Sequence, residues 1–334
     1  MNKKLRVALV GCGEISGNHI GGILSADGEI CALCDLIAER AVKKAETFEL
    51  GDVPVYTDYQ EMLEQVRPDV VHICTPHDLH APMAIAALNR DIHVLCEKPL
   101  CISIEQLHAL REAEKESRAT LGVCHQNRWK PSMVQLKSMA EDNVRAAFGS
   151  VVWDRGEKYY RSGAWRGTWE HEGGGVMINQ ALHTLDVLQW ICGMPTHVTA
   201  QIANWHLQDV IEVEDTASAR FETEKGLPIN FFATTAAGAS LPISVQLFLD
   251  DKRKVSAQNG FLIVNDEVTV LPPNGKVLPG KEVWGTEHSA LIEEFYRCVC
   301  TGDHFPLDVE EGGKVVRLIL SMYQSNGKKI EVLK

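Results

Sequence analysis

The stretch Val10-Gly11-Cys12-Gly13-Glu14-Ile15-Ser16 decides the fold of this 334-residue chain. It follows the apolar run Leu5–Val10, which predicts a strand, and it opens a helical pattern. Glycine at position 11 permits a tight turn, and glycine at position 13 lets the backbone approach a pyrophosphate lying on the helix N-terminus. In the dinucleotide-binding motif G-x-G-x-x-G the third glycine position corresponds to Ser16 here. Serine is small enough for close packing of the helix on the strand. The stretch therefore predicts a dinucleotide-binding turn, with Gly11, Gly13, Glu14 and Ile15 as cofactor contacts.

Outward from this turn, short apolar runs alternate with amphipathic stretches over the first 125 residues. This rhythm predicts an α/β Rossmann domain, a doubly wound parallel sheet, over residues 1–125. Residues 126–334 combine helical patterns with strands separated by short polar turns, which indicates an α+β domain with a mostly antiparallel sheet. The six predicted strands of the first domain are Leu5–Val10, Glu29–Cys34, Val53–Tyr56, Val70–Cys74, Ile92–Cys96 and Thr120–Cys124.

Composition excludes several classes of protein. With 33 basic and 45 acidic residues the net charge is −12, so no large basic surface exists for nucleic acid or anionic lipid. No apolar run approaches the roughly 18 to 20 residues that cross a bilayer, and no secretory signal is evident, so we expect a cytoplasmic protein without membrane contact. Cys31 and Cys34 lie on opposite faces of a predicted strand, which favours structural cysteines, and no metal site is predicted.

Asp35 ends the second predicted strand, 24 residues after Gly11. A carboxylate there can accept hydrogen bonds from the adenosine ribose hydroxyls and repels a 2′-phosphate. Because no basic residue follows before Arg40, the sequence predicts NAD rather than NADP. The alternative interpretation is that Asp35 starts the next helix, and one carboxylate could serve both purposes.

Two further motifs carry polar side chains. Glu97-Lys98-Pro99 follows the fifth strand, where an ammonium beside a cationic nicotinamide loses its proton more easily and can polarise a substrate oxygen. The glycine triplet at 173–175 opens a helix on which Asn179, His183 and Asp186 share one face. That face is either a buried hydrogen-bond network or the site of a general base, His183.

Together these motifs resemble the Gfo/Idh/MocA family, named for glucose-fructose oxidoreductase and inositol dehydrogenase. The resemblance runs over nearly the whole chain and adds Thr75-Pro76 with His80 to the motifs above. It implies that Lys98 and His183 are the catalytic pair and that the C-terminal sheet is large, open and a site of dimer or tetramer formation. We expect Thr75, Pro76, His80, Glu97 and Lys98 to contact the cofactor. Many members carry aspartate where this chain has Asn179, so a carboxylate mechanism at that position is excluded and Asn179 is expected to orient a substrate hydroxyl.

The segment 158–172 is rich in aromatic and cationic groups, which suit sugar rings and acidic substituents. We therefore predict Tyr160, Trp165 and Arg166, together with Arg128, as substrate contacts. The alternative is that the segment forms a sheet edge or a subunit contact.

The resemblance and these residues predict an NAD(P)-dependent dehydrogenase that uses NAD to oxidise a ring secondary hydroxyl of a sugar, sugar derivative or cyclic polyol to a ketone, reversibly. Lys98 and His183 are expected to act on the same oxygen. Three alternatives remain: a redox glycosidase that retains NAD, a nucleotide-sugar dehydrogenase, and a non-catalytic sensor of NAD or sugar. The sensor is disfavoured because Lys98 and His183 are both present.

Overall fold

The computed structural model describes residues 4–141, 143–258, 260–274 and 286–334. Contacts divide the chain into two compact units. The first comprises Met1–Cys101, Glu105–Gln126 and Pro273–Gly312, and the second comprises Ile102–Ile104, Asn127–Pro272 and Gly313–Lys334. This division differs from the predicted cut between residues 125 and 126, because a late helix returns to the first unit. Among the described residues, every helix is too short or too polar to cross a membrane.

The first unit is a six-stranded parallel sheet with helices between its strands, as predicted. The strand order β3-β2-β1-β4-β5-β6 reverses direction beside β1, which is where such sheets bind ligands. The strands are β1 (Arg6–Val10), β2 (Glu29–Cys34), β3 (Val55–Tyr56), β4 (Val70–Ile73), β5 (His93–Cys96) and β6 (Leu121–Val123). The helices are α1 (Ser16–Ser25), α2 (Ala38–Thr47), α3 (Tyr59–Val66), α4 (His77–Leu88) and α5 (Ile104–Glu116).

A further helix, α9 (Glu287–Thr301), completes the first unit. It packs against α1 so closely that a Cβ on Gly22 would overlap the side chain of Ile292. Phe295 of the same helix is fully buried and lies within 3 Å of the position that a Cβ on Gly122 would take. These contacts explain why residues far along the chain belong to the first unit.

The second unit is built on a nine-stranded sheet in the order β14-β13-β12-β11-β7-β10-β9-β8-β15. Among the strand pairings of the described residues, only β10–β7 is parallel in this sheet, which confirms the mostly antiparallel prediction. The described strands are β7 (Val144–Val152), β8 (His197–Ala203), β9 (Thr216–Glu222), β10 (Pro228–Thr234), β11 (Ser244–Leu249), β12 (Lys254–Gln258), β13 (Phe261–Val264), β14 (Glu267–Val270) and β15 (Ile330–Glu331).

Helices cover one face of this sheet. They are α6 (Pro131–Ala140), α8 (Leu182–Cys192) and α10 (Val309–Ser325), and a π-helical turn over Met177–Ala181 precedes α8. The short helix α7 (Glu157–Tyr160) belongs to a separate small core. Leu188 and Thr184 of α8 pack over Gly149 at the centre of β7, where no side chain would fit. The opposite face leaves Phe232 and Phe248 exposed, which gives the alternating burial of strands packed on one side only.

Candidate functional site

The turn between β1 and α1 is shaped to receive an anion. Gly11 has φ +88°, and a Cβ there would lie 2.5 Å from the backbone carbonyl of Cys74 at the end of β4, so only glycine fits. Gly13 has no atom within 4 Å of the position of a Cβ and is exposed. No side chain caps α1, and its first turn holds no acidic residue. The positive end of the helix dipole therefore suits a pyrophosphate approaching over Gly13.

Asp35 fixes this turn to the end of β2. One carboxylate oxygen accepts the Cys12 amide at 2.8 Å, and the other accepts the Ile37 amide at 2.9 Å. The second bond closes a turn just before α2, but the N-cap of that helix is Ile37 and no side chain caps it, so the alternative that Asp35 caps α2 is wrong. Arg40 lies 3.9 Å from the same carboxylate. The contact between Asp35 and a ribose stays a prediction.

Lys44 is a residue of this region that the sequence motifs did not single out. Its half-buried side chain places Nζ 3.5 Å from the position that a Cβ on Gly17 would take, in the first turn of α1. Burial lowers the pKa of Lys44, while the nearby thiols and Glu14 oppose that shift. Only its position on α2, two turns beyond Asp35, could have pointed to it.

The ring of His80 contacts two loops at the carboxyl edge of the sheet. One ring nitrogen lies 2.6 Å from the Pro99 carbonyl oxygen and the other lies 2.9 Å from the Thr75 carbonyl oxygen. The ring is buried, and burial lowers its pKa. The structure thus places His80 beneath the Thr75-Pro76 and Lys98-Pro99 loops, as a support for them, and shows no face of its ring open to a cofactor.

Glu97 is also buried, and both of its oxygens are engaged within the first unit. His19 Nε2 and His288 Nε2 lie 3.0 and 3.2 Å from Oε1, and the Lys98 amide donates to Oε2 at 3.1 Å. Burial alone would raise the pKa of Glu97, but the bonds from the two imidazoles outweigh it and hold the pKa well below its usual range. The carboxylate thereby fixes the backbone of Lys98, which is a different role from the predicted contact with the cofactor.

The network extends from Glu97 through two imidazoles to Tyr296. His19 Nδ1 lies 2.8 Å from His72 Nδ1, and His72 Nε2 lies 3.0 Å from the Tyr296 hydroxyl. Burial lowers the pKa of both rings, which favours the neutral form with one N–H on each ring. Because the carboxylate only accepts, His19 donates from Nε2, His72 donates from Nδ1, and the Tyr296 hydroxyl donates to His72. With this assignment every hydrogen bond from Tyr296 to Glu97 has one donor and one acceptor, and all of them run toward the carboxylate.

Cys124 completes the surroundings of His19, with its sulfur 4.0 Å from Nε2. The sulfur, this nitrogen and a Glu97 oxygen lie within 4.8 Å of one another. Burial raises the pKa of the Cys124 thiol well above its usual range. The hydrogen bonds described above account for the arrangement.

The glycine triplet begins the helix of the second unit. Gly174 has φ +146°, and a Cβ there would overlap the hydroxyl of Tyr323. The buried carboxylate of Glu214 accepts the Gly175 and Met177 amides at 2.9 and 3.0 Å and the Tyr323 hydroxyl at 3.0 Å. Burial raises the pKa of Glu214 to about 7. This carboxylate therefore anchors the start of the helix that carries Asn179 and His183.

The helix is π-helical over Met177–Ala181 and α-helical from Leu182, so the predicted regular stripe begins only at His183. Asn179 and His183 are both half-buried. The Asn179 amide donates to the Glu172 carboxylate, and to the Tyr159 hydroxyl at 3.3 Å. Asn179 is thus held in one orientation by the aromatic segment. Lys98 lies in the first unit and His183 in the second.

Asp186 belongs to a buried ion pair. Its carboxylate accepts two hydrogen bonds from Arg128, from Nε at 2.8 Å and from Nη2 at 2.6 Å, and one from Gln189 at 3.2 Å. The Arg128 guanidinium also lies 5.3 Å from the centre of the Trp190 ring. The predicted substrate contact of Arg128 is therefore not supported by its geometry, since its guanidinium is committed to Asp186.

The segment 158–172 divides into a buried and an accessible part. Tyr160 was expected to contact substrate, but it is 3% exposed and its hydroxyl lies 3.1 Å from the Thr235 hydroxyl. Tyr159 takes the central position instead, because its hydroxyl accepts from Arg166 at 2.6 Å and from Gln180 at 3.1 Å. Trp165 and Arg166 are half-buried, with the guanidinium 4.5 Å from the indole centre.

Comparison with known proteins agrees with this architecture. Residues 5–125 match the family model for the oxidoreductase family with an NAD-binding Rossmann fold, and residues 140–253 match the GFO/IDH/MocA C-terminal domain. D-glucoside 3-dehydrogenase of Escherichia coli K12 is 30% identical over 198 residues, covering 57% of this chain and 55% of that protein. Inositol 2-dehydrogenase of Salmonella typhimurium LT2 is 26% identical over 190 residues, covering 56% and 54%. The chain thus matches about half the length of these curated relatives.

A solved structure is similar over nearly the full length. The WlbA dehydrogenase from Bordetella pertussis, in complex with NADH and UDP-GlcNAcA, superposes with a TM-score of 0.87 and 28% identity, covering 100% of this chain and 99% of that chain. The match includes both the parallel sheet and the open antiparallel sheet. The chain belongs to the Gfo/Idh/MocA oxidoreductase family, and its first unit is that family's NAD-binding Rossmann domain.

Proposed function

We propose that this protein is an NAD-dependent dehydrogenase that oxidises a ring secondary hydroxyl of a sugar or cyclic polyol to a ketone, reversibly. The position of Lys98 in the fold is the main support for this proposal. It follows β5 at the same sheet edge as the Gly11 turn, and its backbone is fixed by the buried carboxylate of Glu97. The named relatives that act on glucosides and inositols support the substrate class.

The residues present fit an NAD molecule. The uncapped start of α1, the open Gly13 and the ammonium of Lys44 would hold the pyrophosphate, and Asp35 would accept the adenosine ribose hydroxyls. When bound, NAD supplies a hydride acceptor at C4 of the nicotinamide.

Two side chains, His183 and Lys98, act on the substrate hydroxyl in this proposal. His183 accepts the proton of the substrate hydroxyl at a ring nitrogen, and Lys98 donates a hydrogen bond to the same oxygen as negative charge develops on it. Asn179, held by Glu172 and Tyr159, orients a neighbouring hydroxyl. Because asparagine takes no proton near neutral pH, the general base is His183 alone.

A nucleotide sugar is the second candidate substrate. The solved WlbA structure holds UDP-GlcNAcA, and this chain is 28% identical to it over its full length. The reaction would be the same, with the sugar ring carrying a nucleotide. The two candidates differ in the size and charge of the substrate rather than in the residues that move the proton.

Turnover of a substrate panel tests the proposal. The full chain is incubated with NAD and separately with neutral sugars, inositols, sugar acids and UDP-sugars, and the absorbance of the reduced cofactor is followed. We expect NADH to accumulate with at least one ring alcohol and to disappear when the corresponding ketone is added. No NADH with any member of the panel, from protein shown to bind NADH, would contradict the proposal.

We also propose that the open face of the second unit's sheet forms a homodimer or homotetramer contact. Phe232 and Phe248, on β10 and β11, are 37% and 43% exposed, and Phe148 on the intervening β7 lies between them. Light scattering after gel filtration should give a dimer or tetramer for the wild-type chain and a smaller species for Phe248→Glu. A wild-type monomer would contradict this proposal.

A further inference from the structure

Five side chains of the second unit form a continuous stack in which aromatic rings and guanidinium groups alternate. The order is Trp153, Arg155, Tyr159, Arg166, Trp165. The Arg155 guanidinium lies 4.7 Å from the Trp153 ring centre and 5.4 Å from that of Tyr159. The Arg166 guanidinium lies 4.5 Å from both the Tyr159 and the Trp165 ring centres. Both guanidinium groups thus lie near one tyrosine ring, at spacings typical of cation–π contacts.

Neither arginine of this stack has a carboxylate partner among the residues that the structure describes, although the chain has net charge −12. Glu172, the buried carboxylate of this segment, accepts from the Gly167 amide and from Asn179 instead. Most other described arginines do have an acidic group within 4 Å, namely Arg40, Arg90, Arg111, Arg118, Arg128, Arg145, Arg161, Arg220, Arg253 and Arg297.

The stack is also anchored to the sheet of the second unit. The backbone of Arg155 is bonded to the end of β10 through Thr235 at 2.8 Å, and Tyr160 ties α7 to the same residue. Tyr159 packs edge-on against the Tyr160 ring, with centroids 5.1 Å apart. A guanidinium held in place by aromatic faces loses little side-chain entropy when it binds a ligand.

Donor groups remain on both guanidinium ions. Arg166 gives one N–H to the Tyr159 hydroxyl, and Arg155 gives one to the Asp154 carbonyl oxygen, whereas each guanidinium has five. Both side chains are half-buried, so a ligand would meet them in partly desolvated surroundings, where a charge-assisted bond is strong. The Tyr159 hydroxyl links the stack to Asn179, one helical turn before His183.

From this arrangement we infer that Arg155 and Arg166 bind an oxyanion carried by the sugar substrate, either a carboxylate on the ring or a phosphate attached to it. The inference rests on the proposed function, since it names the class of substrate for the same site. Trp153 and Trp165 would cover the apolar face of the sugar on either side of the anion.

Equilibrium binding to the full chain with saturating NADH tests this inference. The probes are D-glucuronate, D-glucose 6-phosphate and UDP-glucuronate, with D-glucose as the neutral partner, and titration calorimetry gives each Kd. We expect at least one anionic probe to bind about 10-fold or more tightly than D-glucose. The glucuronate and phosphate arms distinguish a ring carboxylate from a phosphate. Equal affinity for neutral and anionic probes would overturn the inference.

Variants separate a binding role from a structural one. Arg166→Met and Arg155→Met should each weaken the preferred anionic probe by about 10- to 100-fold and D-glucose by less than about 3-fold. Arg166→Lys keeps the charge but loses the planar fork, so an intermediate loss is expected. Arg161→Met is the matched control, because Arg161 lies in the same segment but is exposed and paired with Glu157. Losses that are equal for the charged and neutral probes would contradict the assignment.

The binding experiment and the turnover experiment can succeed or fail separately. If NADH forms with neutral sugars and the arginine variants leave the preference unchanged, the inference fails while the proposed function stands. If anionic probes bind through Arg155 and Arg166 but no ring alcohol is oxidised, the anion site stands and the proposed dehydrogenase activity fails.

Discussion

Replacing Asp186 with asparagine should destabilise the second unit strongly, because it removes the charge that faces a buried guanidinium. The side chains of Arg128 and Asp186 are only 6% and 1% exposed. The carboxylate accepts from two nitrogens of Arg128, at 2.8 and 2.6 Å, whereas an asparagine offers a single acceptor oxygen. Asp186→Asn therefore loses at least one of these bonds and leaves the cation without this carboxylate.

The expected loss is about 3 to 5 kcal/mol in the free energy of unfolding, the cost of breaking a buried pair by removing one partner. The double variant Arg128→Met with Asp186→Leu removes both charges, so we expect it to recover most of that loss. Urea unfolding followed by tryptophan fluorescence suits the measurement, since Trp190 lies beside the Arg128 guanidinium.

Glu157→Gln is the matched control for Asp186→Asn. It removes one partner of an ion pair in the same unit, Glu157 with Arg161, whose side chains are 58% and 67% exposed. An exposed pair contributes little, so a loss below about 1 kcal/mol is expected. Equal losses in Asp186→Asn and Glu157→Gln, or a double variant less stable than Asp186→Asn, would refute the structural role of Arg128.

Three other predictions follow from individual contacts. Asp35→Ala should raise the Kd for NADH relative to that for NADPH by about 10-fold, measured by cofactor fluorescence, because the carboxylate that disfavours a 2′-phosphate is gone; an unchanged ratio would remove the ribose contact. Lys44→Gln should weaken NADH binding by about 3- to 10-fold while Lys43→Gln, which changes an exposed lysine, should not; equal effects would contradict a pyrophosphate contact. The pKa of Glu214 rises from 4.5 to about 7 in the folded chain, so its contribution to stability is present below pH 4.5 and is lost as pH rises through 7. The difference in unfolding free energy between wild type and Glu214→Gln should accordingly shift by up to about 3 kcal/mol over that window, and a difference independent of pH would rule out the raised pKa.

Much of the first unit could be predicted from the sequence, because parallel strands buried on both faces leave continuous apolar runs. Each of the six runs became a strand, and the polar residues after them lie at one edge of the sheet. The strands of the second unit were harder to predict from the sequence. For residues 126–334 the sequence predicted the class of the sheet, because strands with one open face mix small, polar and aromatic residues, as β7, β12 and β14 do.

The side chains around Glu97 could not be predicted, because their contacts join residues far apart in the chain. His19 is 78 positions from Glu97, and His288 is 191 positions from it. No local pattern reports such a contact. The sequence analysis predicted Tyr160 rather than Tyr159 as a substrate contact. The two tyrosines are adjacent on a four-residue helix, and the sequence does not show which of them packs against the sheet.

The kinetics of Lys98→Met and His183→Asn, singly and together, test the proposal that Lys98 and His183 act on one substrate oxygen. With a substrate found in the NAD panel, each single variant should lower kcat by about 10²- to 10⁴-fold and leave the Kd for NADH within about 3-fold. The double variant should be little worse than the slower single variant, because groups that act as a unit are not additive. Retention of more than about a tenth of the wild-type kcat in either single variant, or losses that multiply in the double variant, would contradict the claim.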